Sequence, residues 1–177
     1  MKNTIKRIQN IVESDFNVDP LKDDKLILAH VLCAQACVYS DTETEVKEIN
    51  LEKSEIVESD EHFEPLPGYQ LLIRETMLTL ANLIVNAAYS IHFDIHEIRE
   101  ELIDLYKSEC LYFSNEEHFE GFIQWMLDVT TNLIIENQKE IQINAKFLVV
   151  EGAISGLEYN EDDLIEFYEE ENEILNN

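Results

Sequence analysis

Four glycines and three prolines are all that punctuate 177 residues, and this scarcity of turn formers constrains the fold most. Sandwiches and barrels need a turn about every 8–12 residues, and doubly wound α/β folds need glycine-rich ones. Long helices with few connections suit such a chain. An apolar fraction of 45% supports a packed core, and the length suits one domain over residues 1–177. The expected fold is all-α, a bundle of six or seven helices.

Apolar periodicity places the elements. Ile5, Ile8, Ile11 and Val12 recur at helical spacing over 2–15. Asp23 or Asp24 is positioned to cap a second helix reaching about Tyr39, apolar almost all round and therefore central. Between Asp41 and Glu64 lie ten acids and two lysines, followed by Pro65-Leu66-Pro67-Gly68. This segment, with the linker to 68, is expected to be an acidic, irregular insertion with one short helix around Val46–Val57. A third helix should run from Tyr69 to about Ile91. A fourth should run from Ile95 to about Lys107, capped by Asp94 with Glu97 and turning Ile98, Leu102 and Leu105 inward. The Ser114-x-x-Glu117 spacing predicts a capping box for a fifth, and Asn137 a break. A sixth is expected over Glu140–Ser155 with Gly156 as its C′ glycine, and a last, acidic one after Asn160.

The chain carries 38 acids against 12 bases, a formal charge of −26. Phosphates repel such a chain, so neither direct nucleic-acid binding nor an anionic membrane surface is expected. The N-terminus lacks the apolar region of a signal peptide, and no apolar run approaches the ~20 residues needed to span a bilayer. A cytoplasmic location is expected. Cys33, Cys37 and Cys110 lack zinc-site spacing and read as reduced packing residues.

Chemistry-bearing patterns are few. His92 and His96 straddle the Asp94 cap and read as surface histidines. Glu97, Glu100, Glu101 and Asp104 share one helix face and are candidate Mg²⁺ ligands, set against a plain solvated acidic face. There is no GxSxG elbow and no glycine-rich phosphate loop. Trp125 and the seven tyrosines have no basic patch beside them, so they do not read as a base-stacking platform. The acidity itself exceeds what solubility requires. Rows of carboxylates imitate phosphate spacing and fit a basic groove on another protein, with fast, salt-sensitive association.

The C-terminal run FLVVEGAISG from Phe147 to Gly156, then Asp162-Asp163-Leu164-Ile165 and Tyr168-x-x-Glu171-Asn172, resembles the closing segment of the all-α nucleotide pyrophosphohydrolases, in particular their dimeric dUTPase-like branch. The N-terminal Ile5, Ile8 and Gln9 and the helix Leu26–Cys37 sit where that family has its first helices. The resemblance implies a helical dimer that binds Mg²⁺ through an ExxE motif and a later ExxD motif. This chain has Leu32 and Gln35 at the first motif, and Glu75 followed by Leu78 at the second. One of four carboxylates is kept, and the closing lysine is Glu171.

These readings converge on a non-catalytic acidic interaction protein with no cofactor. It is expected to bind and inhibit a basic partner, a nucleic-acid-handling, toxin or defence protein. The contacts are expected from Glu52, Glu55, Glu58 and Glu61 and from Glu166, Glu169, Glu170 and Glu173. Residue usage rich in Ile, Asn and Glu suits a phage or mobile element of a low-GC bacterium. The alternatives are a divergent Mg²⁺-dependent nucleotide pyrophosphohydrolase and a structural homodimer without a ligand. Self-association is expected in any case, because the second and third helices and Tyr106–Trp125 carry much apolar surface.

Overall fold

The computed structural model describes residues 2–16, 21–59, 68–90, 95–109 and 112–155. These form six helices and three short strands: α1 (Lys2–Asp15), α2 (Asp24–Asp41), β1 (Val46–Asn50), β2 (Glu55–Glu58), α3 (Gly68–Tyr89), α4 (Ile95–Glu109), α5 (Glu116–Glu136), α6 (Gln138–Glu151) and β3 (Ala153–Ser155). The expected helical bundle is what forms. The expected last helix, Cys110 and the Asp94 cap lie outside the described residues.

α2 and α3 are the centre. Both bury residues on nearly every side, as helices apolar all round must. α2 packs between α3 and α6, and α3 also meets α5. Asp23 caps α2 by accepting the Lys25 N–H at 2.9 Å. The Leu21 N–H donates to the Tyr89 carbonyl at 2.7 Å, tying the entry of α2 to the end of α3. α3 is long and apolar enough to cross a membrane by length and composition, which amends the expectation that no stretch approaches a span. However, 67% of its apolar window is buried in the bundle.

Three expectations are corrected. First, the described part of the expected insertion, 41–59, holds two strands and not a helix over 46–57. β1 and β2 pair antiparallel as a hairpin, and β3 joins on the other side in the order β2-β1-β3. Val46, Ile49 and Leu51 are buried and seat this sheet on the bundle. The Asn50 side chain accepts the Lys53 N–H at 3.0 Å across the turn, and Ser54 takes a positive φ of 54°. Second, α6 ends at Gly152, not Gly156. Gly152 has φ +80°, its N–H donates to the Leu148 carbonyl, and its own carbonyl accepts the Leu51 N–H. That turn returns the chain to pair with β1. Third, Asn115 and not Ser114 caps α5, accepting the His118 N–H at 2.9 Å.

Candidate functional site

α4 presents two adjacent ridges at i, i+4, i+8 spacing: Glu100, Asp104 and Ser108, and beside them Glu101, Leu105 and Glu109. Leu105 is buried, which anchors the face on the bundle and leaves the carboxylates outward. α3 packs against α4 and contributes Glu75 and Thr79 at the same spacing. Together these eight residues line an open groove of about 640 Å³.

Five of the eight lining groups are carboxylates. Asp104 and Glu75 have cations beside them. The Lys107 ammonium donates to Asp104 Oδ1 at 2.8 Å, in a largely exposed pair, and the Arg74 guanidinium lies 3.6 Å from Glu75 Oε1. Exposed pairs of this kind contribute about 0–1 kcal/mol and leave the groove strongly negative. Among the described residues, no three His, Cys, Asp or Glu side chains come together in a group suited to a metal ion. The groove is therefore a charged trough and not a focused ligand set. Of the Mg²⁺ candidates, Glu100, Glu101 and Asp104 line it. The side chain of Glu97 lies outside the described residues.

Arg74 organises the neighbouring surface. Its side chain is 11% exposed, and its guanidinium meets Glu58 Oε2 at 3.2 Å, donates to Thr44 Oγ1 at 3.3 Å and lies 5.2 Å from the centre of the Tyr39 ring. Tyr39 is held above its ordinary pKa, by burial first and then by Glu58, with Arg74 opposing. Thus Glu58, expected at a partner contact, is spent within the chain as the latch between hairpin and α3. Glu55 sits 3.3 Å from Lys53, and Glu52 stands exposed in the hairpin turn. Glu61, Glu166, Glu169, Glu170 and Glu173 lie outside the described residues.

The positions that the dUTPase-like resemblance would fill with Mg²⁺ ligands are packing positions here. Leu32 is buried, and Gln35 Nε2 donates to the Leu78 carbonyl at 3.4 Å across the α2–α3 contact. Glu75 alone faces the groove. The sequence singles out Glu75 only as the carboxylate the resemblance keeps; its place beside α4, and that of Glu109, depend on which helix lies there.

Comparison with protein-family models, with curated proteins and with solved structures finds no match to this chain.

Proposed function

We propose that this chain is a non-catalytic interaction protein that docks a lysine- and arginine-rich surface of another protein, and that the α3–α4 groove is a principal contact. The supporting observation is the groove itself, where Glu75, Glu100, Glu101, Asp104 and Glu109 share one trough. A basic groove that handles nucleic acid matches such a trough in charge, so occupancy would exclude the nucleic acid and inhibit the partner. Glu52 and Glu55 extend the acidic surface on the hairpin. Cytoplasmic residence and a homodimer belong to the same proposal. Exposed Tyr69, Tyr112 and Trp125 supply apolar surface for the latter, and sedimentation as a clean monomer at micromolar concentration would refute it.

The test is capture of partner from a bacterial lysate at about 50 mM salt and release at about 500 mM, where screening shortens to a few ångströms. The captured partner is then titrated with wild type and with E100Q/E101Q/D104N/E109Q. Loss of affinity in the variant, and competition with DNA for the partner, are the expected results. Equal affinity of the two proteins for the partner would sink the reading.

One observation favours a second reading, a divergent Mg²⁺-dependent pyrophosphohydrolase: Glu75 shares the groove with Glu101 and Asp104, which keep ExxD spacing. Pyrophosphate release from nucleoside triphosphates above about 0.1 s⁻¹, abolished by E75Q, would establish it in place of the first.

A further inference from the structure

A second cavity, of about 360 Å³, lies apart from the groove, between α2, the α5–α6 junction and β1. Exposed Asp41 and Glu140 stand at its rim, and buried Cys33, Ile49 and Asn144 line its interior. Asn144 is 4% exposed, yet its Oδ1 makes no hydrogen bond. A buried amide oxygen left without a donor costs about 1–3 kcal/mol, so its retention calls for a reason. Asn137 donates its amide N–H to the Leu133 carbonyl at 2.8 Å, which leaves its own oxygen as an acceptor.

The lining therefore carries two carboxylates, amide oxygens and no lysine or arginine. The C-terminal end of α2 at Ser40 and Asp41 adds partial negative charge. The thiols of Cys33 and Cys37 are held protonated by burial, with Glu140 adding to the effect. They serve as neutral, polarisable wall and not as ligands for a soft metal. Ile49 and Leu133 supply apolar wall.

We propose that this cavity binds a small alkylammonium cation, its N–H donors facing Asn144, Asp41 and Glu140 and its methylene stem against Ile49, Leu133 and the thiols. A free aliphatic diamine and a protruding lysine side chain share this chemistry. The site is independent of the α3–α4 groove and stands or falls without it.

The probe is 1,4-diaminobutane, titrated calorimetrically at about 150 mM salt, where diffuse association with the acidic surface is screened. One saturable site is expected, with no binding of butane-1,4-diol. E140Q and N144L should each weaken binding at least about tenfold, the loss of one charge-assisted hydrogen bond. N144L should also melt no lower than wild type without ligand, since it removes an orphaned oxygen at similar volume. A structural asparagine would show the reverse. E52Q/E55Q on the hairpin should leave the affinity unchanged. If 1-aminobutane binds as tightly as the diamine, the natural occupant is a lysine side chain; if it binds more weakly, a free diamine. No saturable site, equal binding of the diol, or unchanged affinity in both E140Q and N144L would overturn the proposal.

Discussion

Replacing Arg74 with methionine should destabilise the fold and strengthen its negative surface at once. Arg74 is the one cation among the described residues whose side chain is nearly buried while holding two helices and the hairpin together. Its pair with Glu58 is partly dry: the carboxylate side chain is 30% exposed and the guanidinium 11%. A charged hydrogen bond there is worth about 1 kcal/mol after discounting for solvent on the Glu58 side. The Tyr39 contact adds about 0.5–1 kcal/mol. The Glu75 pair, with a half-exposed carboxylate, adds nothing of consequence. Methionine keeps the apolar stem and returns a little by removing Nε, which is buried without a partner. The net expectation is a loss of about 1–2 kcal/mol, or about 2–8 °C in Tm for a chain of this size. Urea denaturation of wild type, R74M, E58Q and the double variant should give a coupling of about 1 kcal/mol between the two positions. Hydrogen exchange should speed up first over 46–58. Under the proposed function, R74M should bind a basic partner at least as fast as wild type, because Glu58 and Glu75 are released. A Tm unchanged within error, or zero coupling, would refute the latch.

Three further outcomes are expected. His30 is buried, its Nδ1 2.7 Å from the Leu26 carbonyl and its ring 4.4 Å from that of Tyr89, and burial with Lys146 nearby holds it below the ordinary 6.5 despite the opposing Leu26 contact. The unfolded chain then takes the proton first. Its contribution to stability is complete above that value and is lost as pH falls from about 6.5 toward the folded-state value; a urea midpoint in H30F as pH-dependent as wild type would contradict this. Burial pushes the Cys37 thiol up to about 12 and Cys33 further, so both should react with a disulfide reagent at pH 8 roughly a thousandfold slower than in denaturant; equal rates, read by mass spectrometry of each peptide, would count against the packing. G152A, at φ +80°, should cost about 1 kcal/mol and loosen β3 from β1, with an unchanged urea midpoint as the contrary result.

The helices were legible because their signals are local. The all-round apolar runs of α2 and α3, the Asp23 cap and the break at Asn137 are each set by neighbours in sequence. The sheet was not, because its strands are short, two of them lie within an acid-rich segment, and the third pairs across a long sequence distance. Val46-Lys47-Glu48-Ile49-Asn50 bears an alternation that a bulge interrupts between Val46 and Glu48, and β1 completes its other edge with residues that follow α6. Gly156 was the expected end of α6, and the pairing of Ala153 and Ile154 with β1 decides for Gly152 instead.

The same distinction governs the acids. The ridge on α4 follows from spacing alone, whereas the part played by a carboxylate elsewhere depends on what tertiary structure sets beside it. Glu58 is consumed by Arg74, and Glu75, next to the same guanidinium but half-exposed, still contributes to the groove. Glu140 acts inward on two thiols. A count of acids therefore overstates the charge a partner meets on the hairpin. If charge complementarity drives recognition, neutralising Glu58 should change stability more than affinity, and neutralising Glu100 and Glu101 should change affinity more than stability. That crossing of effects separates selection for a binding surface from selection for solubility, under which both sets would leave affinity alone.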